Sequence, residues 1–202
     1  MLEDLFSRLT RPDFQDFRTG LLTFPAYIYT YPAEQEYRFR EEVCELRDRL
    51  RRPNHFLDCL LINVYDAFLD YLRVQDLGNG DNLLNDILQS DESSPELNRR
   101  TILRHIQTEA FTGFVARMIR THMADGNPRT RTPYVLVHGF GSVFPFLRTN
   151  DFLTRFEPHV TDYKMILFYP GEYEDNRYRM FGRLEPRPVY RASCLNDTIK
   201  SR

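Results

Sequence analysis

Short apolar runs rich in β-branched and aromatic residues recur along this chain, separated by stretches long enough to form helices. "PAYIYTY" (25–31) lies between Pro25 and Pro32 and reads as a buried strand. The next stretch, "AEQEYRFREEVCELRDRLRR", places Tyr37, Val43, Leu46 and Leu50 on one helical face, with glutamates in its first turn. "HFLDCLLINVYD" (55–66) predicts a second strand that runs into a short helix, "DAFLDYLRV". A strand, a helix-length crossover and a strand imply a parallel pair. "YVLVHG" and "KMILFYPG" predict two more strands, over 134–138 and 164–168, with "SVFPFLRTNDFLTRF" helical between them. The expected fold is therefore α/β: a three-layer αβα arrangement with a mostly parallel central sheet. It is Rossmann-like, or P-loop-like in degenerate form.

The segments between these strands are consistent with that frame. "DLGNGDNLLNDILQSDESSPEL" holds turns and room for one short helix. A long helix is expected over about 96–124, capped by Ser93 or Ser94 and with Pro95 near its first position. Its apolar side would be Leu103, Ile106, Phe111, Phe114, Val115 and Met118. The loop 125–133 follows. At the end, "YRMFGRL" and "VYRASCL" are separated by Pro186 and Pro188 and read as short edge strands. Nothing marks a domain boundary, so residues 1–202 are expected to form a single domain.

Composition narrows the function. The formal net charge is −2, so no bulk field draws the chain to nucleic acid or to an anionic membrane. All but two of the 27 basic residues are arginine, the exceptions being Lys164 and Lys200. That bias fits a GC-rich coding sequence, or a surface built for protein contacts. Cys44, Cys59 and Cys194 are odd in number and lack CxxC spacing. They suit a reducing compartment and argue against a disulfide framework or a zinc site. No apolar run reaches the roughly 18 residues a span requires, and a cytoplasmic location is expected.

In an open α/β sheet, ligands bind outside the carboxyl ends of the strands. Two segments fall there: "HGFGS" after 134–138, and "YPGEYEDN", read as a loop after 164–168. The first begins like a phosphate loop, yet Ser142-Val143-Phe144 stand where a Walker site needs its lysine. A dinucleotide fingerprint fails too, because Phe144 takes the place of the third glycine. The plain reading is a tight strand-to-helix turn with Ser142 as N-cap. The alternative is a phosphate held on the amides of Gly139, Gly141 and Ser142. A hydrolase reading of "HGFG" lacks the GxSxG elbow, and His138 reads as a packed polar residue. In the second segment, Glu172, Glu174 and Asp175 could hold a cation, but Arg177, Arg179 and Arg183 follow closely and favour charge neutralisation. No metal and no cofactor is expected. The mixed run 177–191 could stack on single-stranded nucleic acid or dock on an acidic protein face.

The run from Gly139 to Arg148, "GFGSVFPFLR", is similar to the GxGxxxPxxR segment of the BrxB family of BREX, the bacteriophage-exclusion systems of bacteria. Pro145 and Arg148 fall on that pattern. So do Pro170, Gly171, Glu172 and Tyr173, then Phe181, Gly182 and Arg183, then Tyr190 and Arg191. The resemblance covers most of the chain and is specific over its last 70 residues or so. The chain departs at Thr149-Asn150, where members tend to have Ser-His, and at Glu174-Asp175, where they often have Asp-Gly. The resemblance implies a non-enzymatic accessory protein rather than a catalyst. Its implied role is an adaptor that binds other BREX proteins, above all PglZ, an alkaline-phosphatase-like component. Glu172, Tyr173, Arg148 and Arg183 would then form an ion-pair and aromatic cluster beside an interface. The alternative is a nucleotide- or nucleic-acid-binding regulator in the same complex.

Overall fold

The computed structural model describes residues 2–16, 25–78, 80–125, 134–185 and 192–200. Two short helices open the chain, α1 (Glu3–Leu9) and α2 (Pro12–Gln15). Strand β1 (Ala26–Tyr31) leads through a 3-10 turn, Ala33–Gln35, into α3 (Glu36–Leu50). Strand β2 (Cys59–Asn63) runs directly into α4 (Val64–Arg73), followed by α5 (Leu83–Ser90), α6 (Pro95–Ile106) and α7 (Glu109–Asp125). After β3 (Tyr134–His138) come α8 (Phe140–Val143), α9 (Thr149–Phe156) and a second 3-10 turn, Glu157–His159. Strand β4 (Lys164–Glu174), strand β5 (Arg177–Met180), strand β6 (Ser193–Cys194) and α10 (Leu195–Lys200) complete the order.

The strands form one six-stranded sheet in the order β2-β3-β4-β1-β6, with β5 attached to β4. Every pairing is parallel except β4–β5. The α/β expectation holds, with one correction. β1 and β2 share the sheet but are not neighbours, because β3 and β4 lie between them. Each face of the sheet has its own apolar cluster. Phe39, Val43, Leu46 and Leu50 of α3 join Leu5, Leu9, Phe14 and Leu195 over the side chains of Tyr29, Leu136 and Phe168. On the other face, α4 to α9 cover Ile28, Val135, Val137 and Leu167. β3 is buried at every position, as a strand covered on both sides must be.

Several local expectations are corrected. Tyr37 is 84% exposed, and Phe39 takes the core position instead. The helix expected over 96–124 is two helices broken at Gln107-Thr108, where the Thr108 hydroxyl accepts from the Phe111 N–H at 3.3 Å. Pro95 does open α6, but Ser94 makes no side-chain cap bond there. The stretch 142–156 is a one-turn helix, a turn with a cis Phe144-Pro145 bond, and then α9. "YPGEYEDN" is no loop: β4 runs through it to Glu174. The pairs Gly171↔Met180 and Tyr173↔Tyr178 face the protein, while Glu172↔Arg179 and Glu174↔Arg177 face out. That alternation is what a half-covered antiparallel ribbon needs.

Candidate functional site

The carboxyl ends of β1 to β4 meet at one corner. β3 ends at His138, and Gly139 turns the chain at once with φ +88°. A side chain there would place its Cβ 2.1 Å from Asn63 Oδ1, so backbone freedom and space both demand glycine. Asn63 ends β2 and caps α4: its Oδ1 accepts from the Tyr65 N–H at 3.1 Å, and its Nδ2 donates to Asp66 at 2.8 Å. Gly139 thus lets two strand ends close on each other. It is also the N-cap of α8, which corrects the expectation for Ser142. Ser142 lies inside that turn, its N–H donating to the Gly139 carbonyl at 3.1 Å.

The Ser142 hydroxyl accepts from Arg40 Nη2 at 2.7 Å. Arg40 Nε donates to Glu36 Oε1 at 2.8 Å, and the Tyr31 hydroxyl donates to the other Glu36 oxygen. A polar chain therefore runs from the end of β1, through the start of α3, to α8. It crosses the place where a doubly wound sheet usually opens its ligand crevice. His138 sits in the same corner, 7% exposed. Burial, helped by the Arg40 charge, pushes its pKa down to about 4. The imidazole is neutral near pH 7, and its Nδ1 has no hydrogen-bond partner among the described residues. The Ser142 hydroxyl is bonded to a guanidinium, and among the described residues no base is hydrogen-bonded to it. Lys164, the first residue of β4, lies at the opposite end of the strands beside Tyr134, with its Nζ donating to the Phe14 carbonyl at 2.5 Å.

The β4–β5 ribbon packs against this turn. The Phe181 N–H donates to the Pro170 carbonyl at 2.8 Å. A Cβ on Gly171 would lie 2.2 Å from the Arg179 carbonyl oxygen. Asp175 and Asn176 both have positive φ, the backbone of a type I′ hairpin turn. Phe181 and Gly182 repeat positive φ and fold the chain back. The Phe181 ring meets Phe144 edge-on at 5.6 Å. A Cβ on Gly141 would lie 3.2 Å from Pro170 and 3.3 Å from Phe181. One on Gly182 would lie 3.3 Å from a Glu172 carboxylate oxygen. Arg148 places its guanidinium 5.7 Å from the Phe144 ring centre.

The corner therefore brings together Gly139, Gly141, Ser142, Arg148, Pro170, Gly171, Glu172, Phe181 and Gly182. Pro145 follows Phe144 in the same turn. Tyr173 lies across from Tyr178, ring centres 4.6 Å apart. Glu172 and Arg183 are exposed, and among the described residues no ion pair joins Glu172 to Arg148 or Arg183. Tyr190 and Arg191 fall outside the described residues. Glu172, Glu174, Asp175, Arg177 and Arg179 line an open groove of about 440 Å³ on the ribbon's outer face. Among the described residues, no three His, Cys, Asp or Glu side chains are placed to hold a metal ion. Sequence reasoning missed Tyr31, Glu36, Arg40 and Asn63. Asn63 carried a signal, an Asn between an apolar strand and a helix with Asp66 three residues on. Arg40 carried none, since its partner lies 102 residues away.

The family model described as "BREX protein BrxB" matches residues 60–195. That range holds both halves of the corner, whereas Tyr31, Glu36 and Arg40 precede it. A protein named BREX protein BrxB from Bacillus cereus (strain H3081.97) is 20% identical over 196 residues, covering 97% of this chain and 96% of that protein. Another of that name, from Escherichia coli O9:H4 (strain HS), is 22% identical over 148 residues, covering 73% and 66% respectively. No solved structure matches.

Proposed function

The chain belongs to the BrxB family of BREX phage-defence systems, and from that premise we propose that it is a non-enzymatic adaptor, binding other BREX proteins and PglZ foremost. One observation carries this reading. A side chain at Gly139 would collide with Asn63, and one at Gly141 would press on Pro170 and Phe181. The glycines of this turn are explained by the packing of two strand ends and a ribbon, with no ligand required. The Arg40–Ser142 bond over the strand ends supports the same view.

Membership also suits a working place in the cytoplasm. Among the described residues, no helix is long and apolar enough to cross a membrane. The regulator reading places a phosphate on the amides of Gly139, Gly141 and Ser142, and one observation favours it, the buried Nδ1 of His138 with no hydrogen-bond partner among the described residues.

A thermal-shift panel separates the two. The purified chain is heated with ATP, GTP, NAD or single-stranded oligonucleotides, and separately with purified PglZ. The adaptor reading expects a rise with PglZ alone. A rise with a nucleotide that Gly141→Val abolishes would replace the adaptor with the regulator.

A further inference from the structure

Most exposed apolar side chains on a soluble protein stand alone and carry no message. Here they are concentrated. Of the seven large hydrophobic residues exposed among the described ones, Val74, Leu77, Leu88 and Leu97 come from one stretch of 24 residues. That stretch is the end of α4, the turn after it, α5 and the start of α6. Hydrogen bonds tie its parts together. The Leu83 N–H donates to the Gln75 carbonyl at 3.0 Å, Asn98 Nδ2 donates to the Ile87 carbonyl at 2.9 Å, and the Ser90 hydroxyl bonds Asn98 Oδ1 at 3.0 Å. Leu83, Leu84 and Ile87 already anchor α5 to the core. Leu88, 66% exposed, is therefore surplus to that anchoring.

The charge around these residues is one-sided. Residues 74–98 contain Asp76, Asp81, Asp86, Asp91, Glu92 and Glu96 and no Lys or Arg. The bordering Arg73 pairs with Asp70 at 2.5 Å, and Arg99 and Arg100 reach Glu96 at 3.6 and 3.4 Å. Net charge on the whole chain is only −2, so this face departs strongly from the average. Nucleic acid and anionic membranes would be repelled by it.

We infer that the α5–α6 face is a docking surface for a basic amphipathic helix of a partner protein, one whose apolar side chains cover Val74, Leu77, Leu88 and Leu97 while flanking Arg or Lys meet the acidic rim. A helix laid along packed helices is the mode this geometry allows, and opposite charge sets its orientation and speeds its arrival. The inference rests on the adaptor reading and says where the adaptor grips.

The test uses the full chain and two probes: purified PglZ, and a synthetic 18-residue Leu/Arg amphipathic helix. The variants are Leu88→Ser with Leu97→Ser, and Asp86→Lys with Glu92→Lys. All four sites are exposed, and circular dichroism and Tm verify that both variants fold. The expected result is binding of both probes, weakened roughly tenfold or more by each double variant and weakened further by salt. If PglZ binds the variants as tightly as wild type, the adaptor survives and the proposed face falls. If PglZ does not bind wild type, PglZ as the adaptor's partner falls, and the peptide then decides the face alone. If neither probe responds to the substitutions, the face is overturned. A dimer of this chain that Leu88→Ser disperses would assign the surface to a second copy and overturn it equally.

Discussion

At the scale of single residues, the corner is a problem of space. Gly171 and Gly113 make the contrast. A Cβ on Gly171 would collide with the Arg179 carbonyl, whereas one on Gly113, inside α7, meets nothing within 4 Å. Gly171→Ala should cost about 2 kcal/mol or more, by strain and loss of strand pairing. Gly113→Ala should stabilise by about 0.5–1 kcal/mol, because alanine restricts the unfolded chain and favours the helix. Urea unfolding of both variants checks the pair. His138 gives a pH signature. Its folded pKa of about 4 lies below the ordinary 6.5. Between those values the unfolded chain binds the proton and the folded chain does not, so stability falls as pH drops from 6.5 towards 4. The contribution approaches about 3 kcal/mol, and His138→Gln should flatten that part of the profile. The glycine turn itself was legible in the sequence, because a GxG between an apolar run and a helix has few other uses. Ser142 was misplaced because Gly139, with its positive φ, already supplies the cap. Tyr37 was misread: Phe39, Val43, Leu46 and Leu50 keep the i, i+4, i+7, i+11 spacing of one helical face, whereas Tyr37, two residues before Phe39, points to the other side.

At the scale of elements, the ribbon shows what charge and proline conceal. Pro170-Gly171 with three acids nearby reads as a turn. Yet residues 171–174 alternate inward and outward as a strand does, and the positive-φ pair Asp175-Asn176 places the hairpin turn later. Phe181 fastens this ribbon to the turn after β3. Phe181→Ala should cost about 1–3 kcal/mol. Faster amide exchange at Gly171–Glu174 than at Met165–Phe168 would show that the loss is confined to the ribbon. The break between α6 and α7 was hidden for another reason. No glycine or proline marks it, and the Thr108 hydroxyl is an N-cap signal embedded in an otherwise continuous helical pattern. The four core strands were legible because each is a short apolar run with no polar face.

At the scale of the molecule, the topology binds the two ends of the chain. β1, near the beginning, lies between β4 and β6, near the end. Asn196 completes the join: its Oδ1 accepts from the Thr30 N–H at 2.8 Å and its Nδ2 donates to the Thr30 carbonyl at 3.1 Å. Strand order was beyond the sequence, because parallel strands with equivalent apolar faces do not declare their neighbours. We propose that the chain unfolds as one cooperative domain, with fluorescence and circular dichroism transitions coinciding. Asn196→Ala, which leaves both Thr30 groups without that partner, should lower the midpoint by the equivalent of about 2 kcal/mol. The most direct measurement of the adaptor role is purification of the chain from cells carrying the whole BREX operon, with native mass spectrometry of what emerges. The adaptor reading predicts a stoichiometric complex with an identified BREX protein, PglZ first, and no nucleotide mass on this chain. A free chain carrying a tightly bound nucleotide would contradict it.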